Sequence, residues 1–498
     1  MEQHSTPSRP DIYTSDPMPA EASAFALGRF SRSPESLREN MKWVAEHDPS
    51  KFFETFYFSY GHSSLSDLGV ITTNISRCSH LAAIEVLNDQ MWQGQEKSSR
   101  YQDLTQDSYV TPVPLQGHPH EPLFHRTIAL LKRAYTRFQE PVYNTLCQRT
   151  PRPDSLSPEA YARTMNARTF DVLRYFLPLA GHTNLGQIIT IRVLERQIRR
   201  LKASPVEELR WIGDRLRTMC AEEADHTWST LTGQPAFTGA IAPMLAKHCT
   251  PSSYETQTLP ALREAVADLL KHYTGLHNPA RWPKTPRVTL LPPHSLEQEI
   301  LTTLLYRVTH APYRILLHFV TDIFSKDEKA QLLKLALQFR GPHDDLAHEF
   351  RSGYALTYDL LMDIGAWRDL HRHRRLQQIR QDFTPIHGFE VPPLLKTLNL
   401  NSQFSRVMEC AHHNAIALNT IEPTIGTYLL PFATKVRCLL KMDWAALDYL
   451  AGIRTTPQEH WSYRDIAWTM RTLASRRHPE LGAYLRGTDP SIEAPLTR

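Results

Sequence analysis

Glycine is scarce in this chain of 498 residues, which has 19 glycines against 36 prolines. Glycine-rich loops bind nucleotide phosphates because a backbone without side chains can approach the anion closely. Neither a Gly-Lys-Ser/Thr motif nor a Gly-x-Gly-x-x-Gly motif after a predicted strand occurs. The sequence therefore disfavours the common glycine-rich phosphate-binding loops.

Cysteine pairs and long apolar runs are also lacking. The six cysteines lie far apart, without a Cys-x-x-Cys motif: Cys78, Cys147, Cys220, Cys249, Cys410 and Cys438. The polar segment Met1–Arg9 lacks the apolar core of a secretory signal. The longest apolar runs, such as Ile315–Leu317, are far shorter than a membrane span. We therefore expect a cytoplasmic protein with reduced thiols and no membrane segment.

The composition is that of a globular protein, with 41% hydrophobic and 22% charged residues. The length suits two or three domains that each bury a core. The net charge of +4 and the pI near 8.6 suit small anionic ligands as well as nucleic acid. The charge therefore does not distinguish these two kinds of ligand.

A short polar loop, Gln95–Tyr101, offers a carboxylate, hydroxyls and a guanidinium within a few residues. Arginine forks onto phosphate oxygens, and serine hydroxyls complete the shell around such an anion. The composition points to a phosphorylated ligand, although solvated turns often have the same composition.

The loop follows a turn at Tyr60–Ser64, a predicted strand at Val70–Ile75 and a predicted short helix at Leu81–Leu87. This order resembles the flavin-dependent thymidylate synthases, whose signature is an Arg-His-Arg triplet followed by Ser-x-Asn-Glu-x-Ser-x-Arg-Tyr. The residues that match the second part are Glu96, Ser98, Arg100 and Tyr101. The triplet position reads Asn88-Asp89-Gln90.

Helix signals follow downstream. Glu121-Pro122 starts a long amphipathic helix, Ser157-Pro158-Glu159 starts another that runs to Phe176, and a third helix is predicted over Thr183–Arg200. The positions that the resemblance assigns to further contacts with the substrate nucleotide are Leu177-Pro178, Thr183, Arg192, Glu207 and Arg217.

Beyond a proline-rich connector the pattern starts again. Arg372-His373-Arg374 supplies the triplet that the first copy lacks, and Leu430-Pro431 repeats Leu177-Pro178. We interpret this pattern as a degenerate internal duplication in which each copy retains what the other has lost.

The resemblance implies an α+β fold class with two degenerate copies of the flavin-dependent thymidylate synthase fold, each a small antiparallel sheet with a helical bundle. We expect a flexible tail over residues 1–22 and an N-terminal copy with the nucleotide-contacting loop over 23–245. A connector over 246–293 and a C-terminal copy with the Arg-His-Arg segment over 294–498 would follow. A homodimer would then imitate the four-copy assembly of the family.

The resemblance also implies one cavity shared by the two copies, and an enzyme of the thymidylate synthase type. The residues assigned to FAD are His62, Arg372, His373, Arg374, Arg454 and His460. The residues assigned to the substrate dUMP are Glu96, Ser98, Arg100, Tyr101, Arg192 and Arg217, with Ser98 and Arg217 as the catalytic pair. In the implied reaction the methylene of 5,10-methylenetetrahydrofolate goes to C5 of dUMP, NADPH-reduced FAD gives the hydride, and Arg217 stabilises charge on the pyrimidine.

Glu85 stands where the family has a glutamine that holds the nucleotide phosphate. A carboxylate there repels a phosphate unless its side chain turns away. Three interpretations of the function therefore stay open. They are a two-domain thymidylate synthase, a diverged flavoenzyme acting on another nucleotide or aromatic substrate, and a non-catalytic nucleotide-binding relative.

Nucleic acid and metal are disfavoured as partners. The basic segment 368–380 has no interleaved aromatics for base stacking, so a nucleic-acid patch there is the weaker interpretation. We expect no metal site, since His118-x-His120, His371-x-His373 and Cys410-x-His412-His413 each lack a second ligand pair.

Overall fold

The computed structural model of the chain describes residues 18–48, 50–55, 63–100, 108–236, 238–244, 249–273, 282–342 and 344–496. The chain divides into two compact units. The smaller unit comprises Met1–Thr72, Ile188–Arg196 and Arg215–Cys249, and the larger unit comprises Thr73–Gln187, Gln197–Asp214 and Thr250–Arg498. The domain boundaries expected from the sequence stay predictions.

Up to residue 271, helices outnumber strands among the described residues. The strands are β1 (Val70–Ser79), β2 (Gly94–Glu96) and β3 (His182–Thr190). The helices are α1 (Ala20–Phe30), α2 (Leu37–Ala45), α3 (Ser50–Phe52), α4 (His80–Val86), α5 (Glu121–Arg149), α6 (Pro158–Leu173), α7 (Ile191–Lys202), α8 (Glu207–Cys220), α9 (Thr227–Thr232) and α10 (Ser253–Lys271).

Beyond residue 271 the same mixture continues. The strands are β4 (Val288–Leu290), β5 (Leu356–Asp363), β6 (Gln377–Arg380) and β7 (Lys435–Met442). The helices are α11 (Leu296–Val308), α12 (Tyr313–His318), α13 (Lys326–Leu337), α14 (Ile364–Leu370), α15 (Pro393–Thr397), α16 (Asn401–Leu418), α17 (Trp444–Arg454), α18 (Trp461–Arg477) and α19 (Pro479–Gly482).

Several elements predicted from the sequence are confirmed. Strand β1 covers the predicted strand, α4 the predicted short helix, and α5 and α6 the two long amphipathic helices. The helix predicted over Thr183–Arg200 is wrong in its first half, since β3 extends to Thr190 and α7 begins only at Ile191. The side chains of β3 alternate between buried and outward positions, which is the period of a strand.

The strands form two small sheets. One has the strand order β1-β3-β2, and the other, in the larger unit, has the order β4-β5-β7-β6 with antiparallel neighbours throughout. Strand β5 ends at Asp363, whose carboxylate accepts a hydrogen bond from the Ala366 backbone N–H at 2.7 Å and so caps α14. The predicted α+β class, with a small sheet and helices in each copy, is confirmed.

The largest described hydrophobic cluster of the larger unit draws side chains from both halves of the chain. Phe138 of α5 packs on Phe176 with ring centroids 5.0 Å apart, and Phe176 packs on Phe404 of α16 at 5.1 Å. All three rings are buried. Because the core is continuous, helices from both copies are held in one body around the residues described below.

The repeated Leu-Pro motifs pair with each other. Pro178 and Pro431 form an antiparallel bridge, the Leu179 N–H donates to the Leu430 carbonyl at 3.0 Å, and the Phe432 N–H donates to the Leu177 carbonyl at 2.9 Å. The two hydrogen bonds are reciprocal, as they are where two copies of one motif meet around a two-fold axis.

The smaller unit has its own small clusters of apolar side chains. Phe25 packs edge-on against Trp43 with centroids 5.6 Å apart, and Val44 lies buried in the same cluster. The Met244 N–H donates to the buried Glu21 carboxylate at 2.9 Å, which ties the 238–244 segment to α1.

Candidate active site

The predicted anion-binding loop begins at the end of β2. This strand pairs antiparallel with β3, and Glu96 lies opposite Leu185. A side chain at Gly94 would place its Cβ 2.2 Å from the Gly186 carbonyl oxygen, so only glycine allows the two strands to approach this closely. Local pairing therefore fixes where the carboxylate of Glu96 points.

Glu96 is buried, and the two arginines that pair with it come from the other half of the chain. Its carboxylate pairs with Arg368 of α14, lies 3.6 Å from Nη2 of Arg372, and lies 3.7 Å from Nδ1 of His80. Burial alone would raise the pKa of Glu96, but Arg368, His80 and Arg372 outweigh burial and lower its pKa to about 2. The carboxylate is thus ionised and held by guanidinium groups.

The Arg-His-Arg segment meets the segment that lacks a triplet. Arg374 donates to the Trp92 carbonyl, and the side chain of Gln90 donates to the Leu376 carbonyl at 2.9 Å. Together with the contact between Arg372 and Glu96, these bonds join the second copy's triplet to the first copy's loop.

All five N–H donors of Arg100 are engaged within the chain. Nε and Nη2 fork onto the Asp171 carboxylate at 2.8 and 3.3 Å. Nη1 donates to Glu459 at 3.0 Å and to the Tyr463 hydroxyl at 2.7 Å, and Nη2 also donates to the Gln458 carbonyl at 2.9 Å. Arg100 therefore joins the loop to α6 and to the start of α18.

His373 lies against the end of α17. Nε of Arg454 donates to Nε2 of His373 at 2.8 Å, so Nε2 carries no proton and the imidazole is neutral. Burial, and next the charge of Arg454, lower the pKa of His373 to about 3. The structure thus brings two of the residues assigned to FAD into direct contact.

His460 is fully buried beside the same cluster. Its Nδ1 accepts from the Ser462 N–H at 3.2 Å as the cap of α18, so Nε2 carries the proton and donates to the Asp171 carbonyl at 3.0 Å. Burial lowers the pKa of His460 well below the usual histidine value, with Arg174 adding to the effect. Its contacts within the chain fix the orientation of the ring.

The other predicted residues are distributed as follows. Ser98 is half-buried, and its hydroxyl accepts from the Arg100 N–H at 3.2 Å. Arg192 and Arg217 belong to the smaller unit, where Arg192 pairs with Asp67 at 3.0 Å and Arg217 is exposed on α8. His62 and Tyr101 lie outside the described residues.

Comparison with known proteins decides the family. The family described as "Thymidylate synthase complementing protein" matches residues 14–224 and 354–480, more than half of the chain. The chain belongs to this family.

Three relatives carry the name UPF0159 protein. One from Chlamydia muridarum is 26% identical over 454 residues, which cover 88% of this chain and 81% of the relative. One from Chlamydia pneumoniae is 25% identical over 84% of this chain and 76% of the relative, and one from Thermoplasma acidophilum is 24% identical over 69% and 64%. The two matched regions of the family agree with an internally duplicated member.

The buried cluster around Glu96 and Arg100 contains further polar and charged residues that the sequence did not predict. They are His80, Asp171, Arg174, Arg368, Asp369, Glu459 and Tyr463. For Arg368 a signal was present, because it lies four residues before Arg372, one helical turn away from the triplet. For Asp171 and Glu459 there was none, since only the fold brings them to Arg100.

Glu85, which stands where the family has a phosphate-holding glutamine, forms an ion pair with Arg380. Its Oε1 lies 2.7 Å from Nη2 of Arg380, and the Arg200 side chain donates to its backbone carbonyl. The carboxylate is therefore paired with a cation from the second half of the chain, which weakens its repulsion of an anion.

Within the part of the chain that the structure describes, neither a metal-binding cluster nor a membrane-spanning helix occurs. The side chains in the described ranges include no group of three or more His, Cys, Asp or Glu suited to a metal ion. None of the described helices combines the length and the apolar character that crossing a bilayer requires.

The buried imidazole of His373 predicts acid sensitivity in this family member. As the pH falls below the unfolded pKa near 6.5, the unfolded chain takes up a proton that folded His373, with a pKa of about 3, does not. This residue therefore contributes stability above pH 6.5 that is lost towards pH 3, about 2 kcal/mol of it by pH 5. We expect His373→Gln to flatten the pH dependence of the unfolding free energy between pH 6.5 and 5, measured by urea titration.

His413→Gln on α16 is the matched control, because His413 is exposed. An unchanged pH slope in His373→Gln, or an equal flattening in His413→Gln, would contradict the assignment.

Proposed function

We propose that the protein is an FAD-dependent thymidylate synthase-like methyltransferase that converts dUMP to dTMP. In this proposal 5,10-methylenetetrahydrofolate donates the carbon and NADPH-reduced FAD donates the hydride. The observation that carries the proposal is the 3.6 Å approach of Arg372 to Glu96, since it joins the two complementary halves of the family signature within the larger unit. Family membership supports the same activity.

The donor set suits an anionic dinucleotide. Arg372 keeps 38% of its side chain exposed while it contacts Glu96, and Arg374 is exposed as well. Their remaining N–H groups can donate to a pyrophosphate, and neutral His373 lies between them in sequence. When bound, FAD supplies the hydride, and the protein orients it.

On the substrate side, we assign the catalytic roles to Ser98 and Arg217. The Ser98 hydroxyl is half-buried on the loop that ends in Arg100 and can donate to a phosphate oxygen. Uracil C5 is a poor nucleophile, so a guanidinium near the pyrimidine carbonyls would stabilise charge that develops on the ring. The exposed Arg217 is the candidate for that task. A cytoplasmic homodimer completes the proposal.

Genetic complementation tests this function. We expect the gene to restore growth of a thymidine-requiring bacterium without thymidine, and Arg217→Ala to abolish the rescue. Circular dichroism should show that Arg217→Ala is folded, so that a lost rescue reports on function and not on folding. Arg137→Ala, an exposed arginine on α5, is the matched control and should rescue fully.

One observation favours a second candidate, a diverged flavoenzyme acting on another substrate: the donors of Arg100 are all taken by the protein itself. A purified protein that shows the flavin absorbance band but fails to rescue would select this candidate. A protein that neither binds flavin nor rescues would instead be a nucleotide-binding relative without catalytic activity.

A further inference from the structure

The guanidinium of Arg100 has two differently used edges. One edge, Nε with Nη2, forks onto Asp171 of α6, the geometry that anchors an arginine most firmly. The other edge, at Nη1, faces Glu459 at 3.0 Å and the hydroxyl of Tyr463 at 2.7 Å. The Asp171 edge fixes the position of the side chain, and the Nη1 edge faces a separate group.

That separate group, the carboxylate of Glu459, is surrounded by donors. Besides Arg100, Nη1 of Arg454 lies 3.5 Å from its Oε1, and the Tyr463 hydroxyl donates to its Oε2. Two guanidinium groups and a phenol hydroxyl around two oxygens form the donor set that proteins use to bind carboxylate and phosphate anions.

Glu459 reaches this position from a short irregular segment between the end of α17 at Arg454 and the start of α18 at Trp461. The segment is anchored by its own turn, in which the Glu459 N–H donates to the Thr456 carbonyl at 3.0 Å. Gln458 adds its carbonyl to Arg100. The side chain of Glu459 keeps 14% of its surface exposed, so the position lies at the edge of the buried cluster rather than deep inside it.

We propose that Arg100, Arg454 and Tyr463 form a phosphate subsite that the chain fills with its own Glu459, and that a bound phosphate displaces this carboxylate. The identity of the ligand that carries the phosphate rests on the proposed function, whereas the subsite rests on the contacts alone. Displacement leaves the fork between Arg100 and Asp171 intact, so Arg100 keeps its position while its Nη1 edge becomes available. This resolves the conflict between the predicted phosphate contact of Arg100 and its engaged donors.

Glu459 competes with phosphate for the subsite, so the apparent phosphate affinity equals the affinity of the open subsite multiplied by the fraction of molecules in which it is open. If Glu459 occupies the subsite in about 90–99% of molecules, its removal strengthens phosphate binding about 10–100-fold. Glu459→Gln suits the test because the amide keeps an acceptor for Tyr463 and Arg100 but loses the negative charge.

The test is isothermal titration of the full-length protein with inorganic phosphate at fixed ionic strength. We expect Glu459→Gln to bind phosphate at least tenfold more tightly than the parent protein. Adding Arg454→Met to Glu459→Gln should remove the gain. Glu480→Gln, an exposed glutamate on α19, is the matched control and should leave phosphate affinity unchanged.

Equal phosphate affinity in the parent and Glu459→Gln would overturn the proposal, as would the same gain in Glu480→Gln. Thermal unfolding checks that Glu459→Gln is folded. If it is not, Glu459→Asp replaces it, since the shorter side chain withdraws the carboxylate from the arginines and should also tighten phosphate binding.

Parallel titrations with dUMP and with FAD identify which ligand carries the phosphate. A tenfold gain for dUMP alone assigns the subsite to a nucleotide monophosphate, and a gain for FAD alone assigns it to a dinucleotide. A gain for inorganic phosphate without binding of either ligand supports the subsite and counts against the proposed function. Successful complementation without any gain in phosphate affinity supports the proposed function and overturns the subsite.

Discussion

Replacing Arg100 by alanine is expected to lower the free energy of unfolding by about 3–5 kcal/mol, because it leaves the largely buried Asp171 carboxylate without its forked cation and removes one of the two arginine partners of Glu459. Asp171 would lose a forked pair and Glu459 a charge-assisted hydrogen bond, and both side chains are largely buried. Urea denaturation followed by circular dichroism measures the change. The effect is much larger than loss of a surface ion pair, which costs about 0–1 kcal/mol.

Arg137→Ala on α5 serves as the control for the loss of an exposed arginine and should change the unfolding free energy by no more than about 0.5 kcal/mol. A double-mutant cycle with Asp171→Asn should show a coupling of at least 1 kcal/mol, within the range of about 0.5–3 kcal/mol found for residues in contact. If Arg100→Ala is as stable as Arg137→Ala, the guanidinium does not tie the loop to α6 and α18.

Replacing Phe404 by alanine is expected to cost about 3–5 kcal/mol, through lost burial and the cavity that remains. The ring is fully buried on α16, against Phe176 of the first half at 5.1 Å and Phe389 at 6.1 Å. Ile416→Ala on the same helix is the control, because its side chain is 56% exposed. Thermal and urea unfolding measure both variants.

The Phe404→Ala variant also tests whether the two halves of the chain unfold together. Because the cluster around Phe404 is shared by both halves, Phe404→Ala should shift the unfolding transitions of both halves together. Tryptophans in each half can report this shift: Trp92 in the first half and Trp367 in the second. Separate transitions, of which the substitution moves only one, would mean that the copies have independent cores.

Much of the helical structure was predictable because local chemistry determines it. The N-terminus of α6 was predicted from Ser157 and Pro158, and the Ser157 hydroxyl accepts from the Ala160 N–H at 3.2 Å. Strand β3 was not predicted, because its inward positions include Thr183 and Gln187, and these polar residues disguise the alternation. Gln187 is buried at no great cost, since the Trp92 indole donates to it at 2.6 Å.

The candidate site also has a part that the sequence predicted and a part that it did not. The loop from Glu96 to Arg100 was found because its residues are adjacent in sequence, and the Arg-His-Arg segment was found for the same reason. The pairing of Glu96 with Arg368 was not predicted, because residues so far apart carry no local signal of contact. Duplication indicated that the halves complement each other, but only the packed core showed which side chains meet.

The reciprocal bonds between the two Leu-Pro motifs, Leu179 to Leu430 and Phe432 to Leu177, have a consequence for how the protein behaves in the cell. In an assembly of separate single copies, such an interface forms only above the dissociation constant of the subunits. Covalent fusion makes the encounter intramolecular, at an effective concentration that no dilution changes. A cell can therefore hold very few molecules of this protein and still have the Glu96 loop and Arg372 brought together in every one of them.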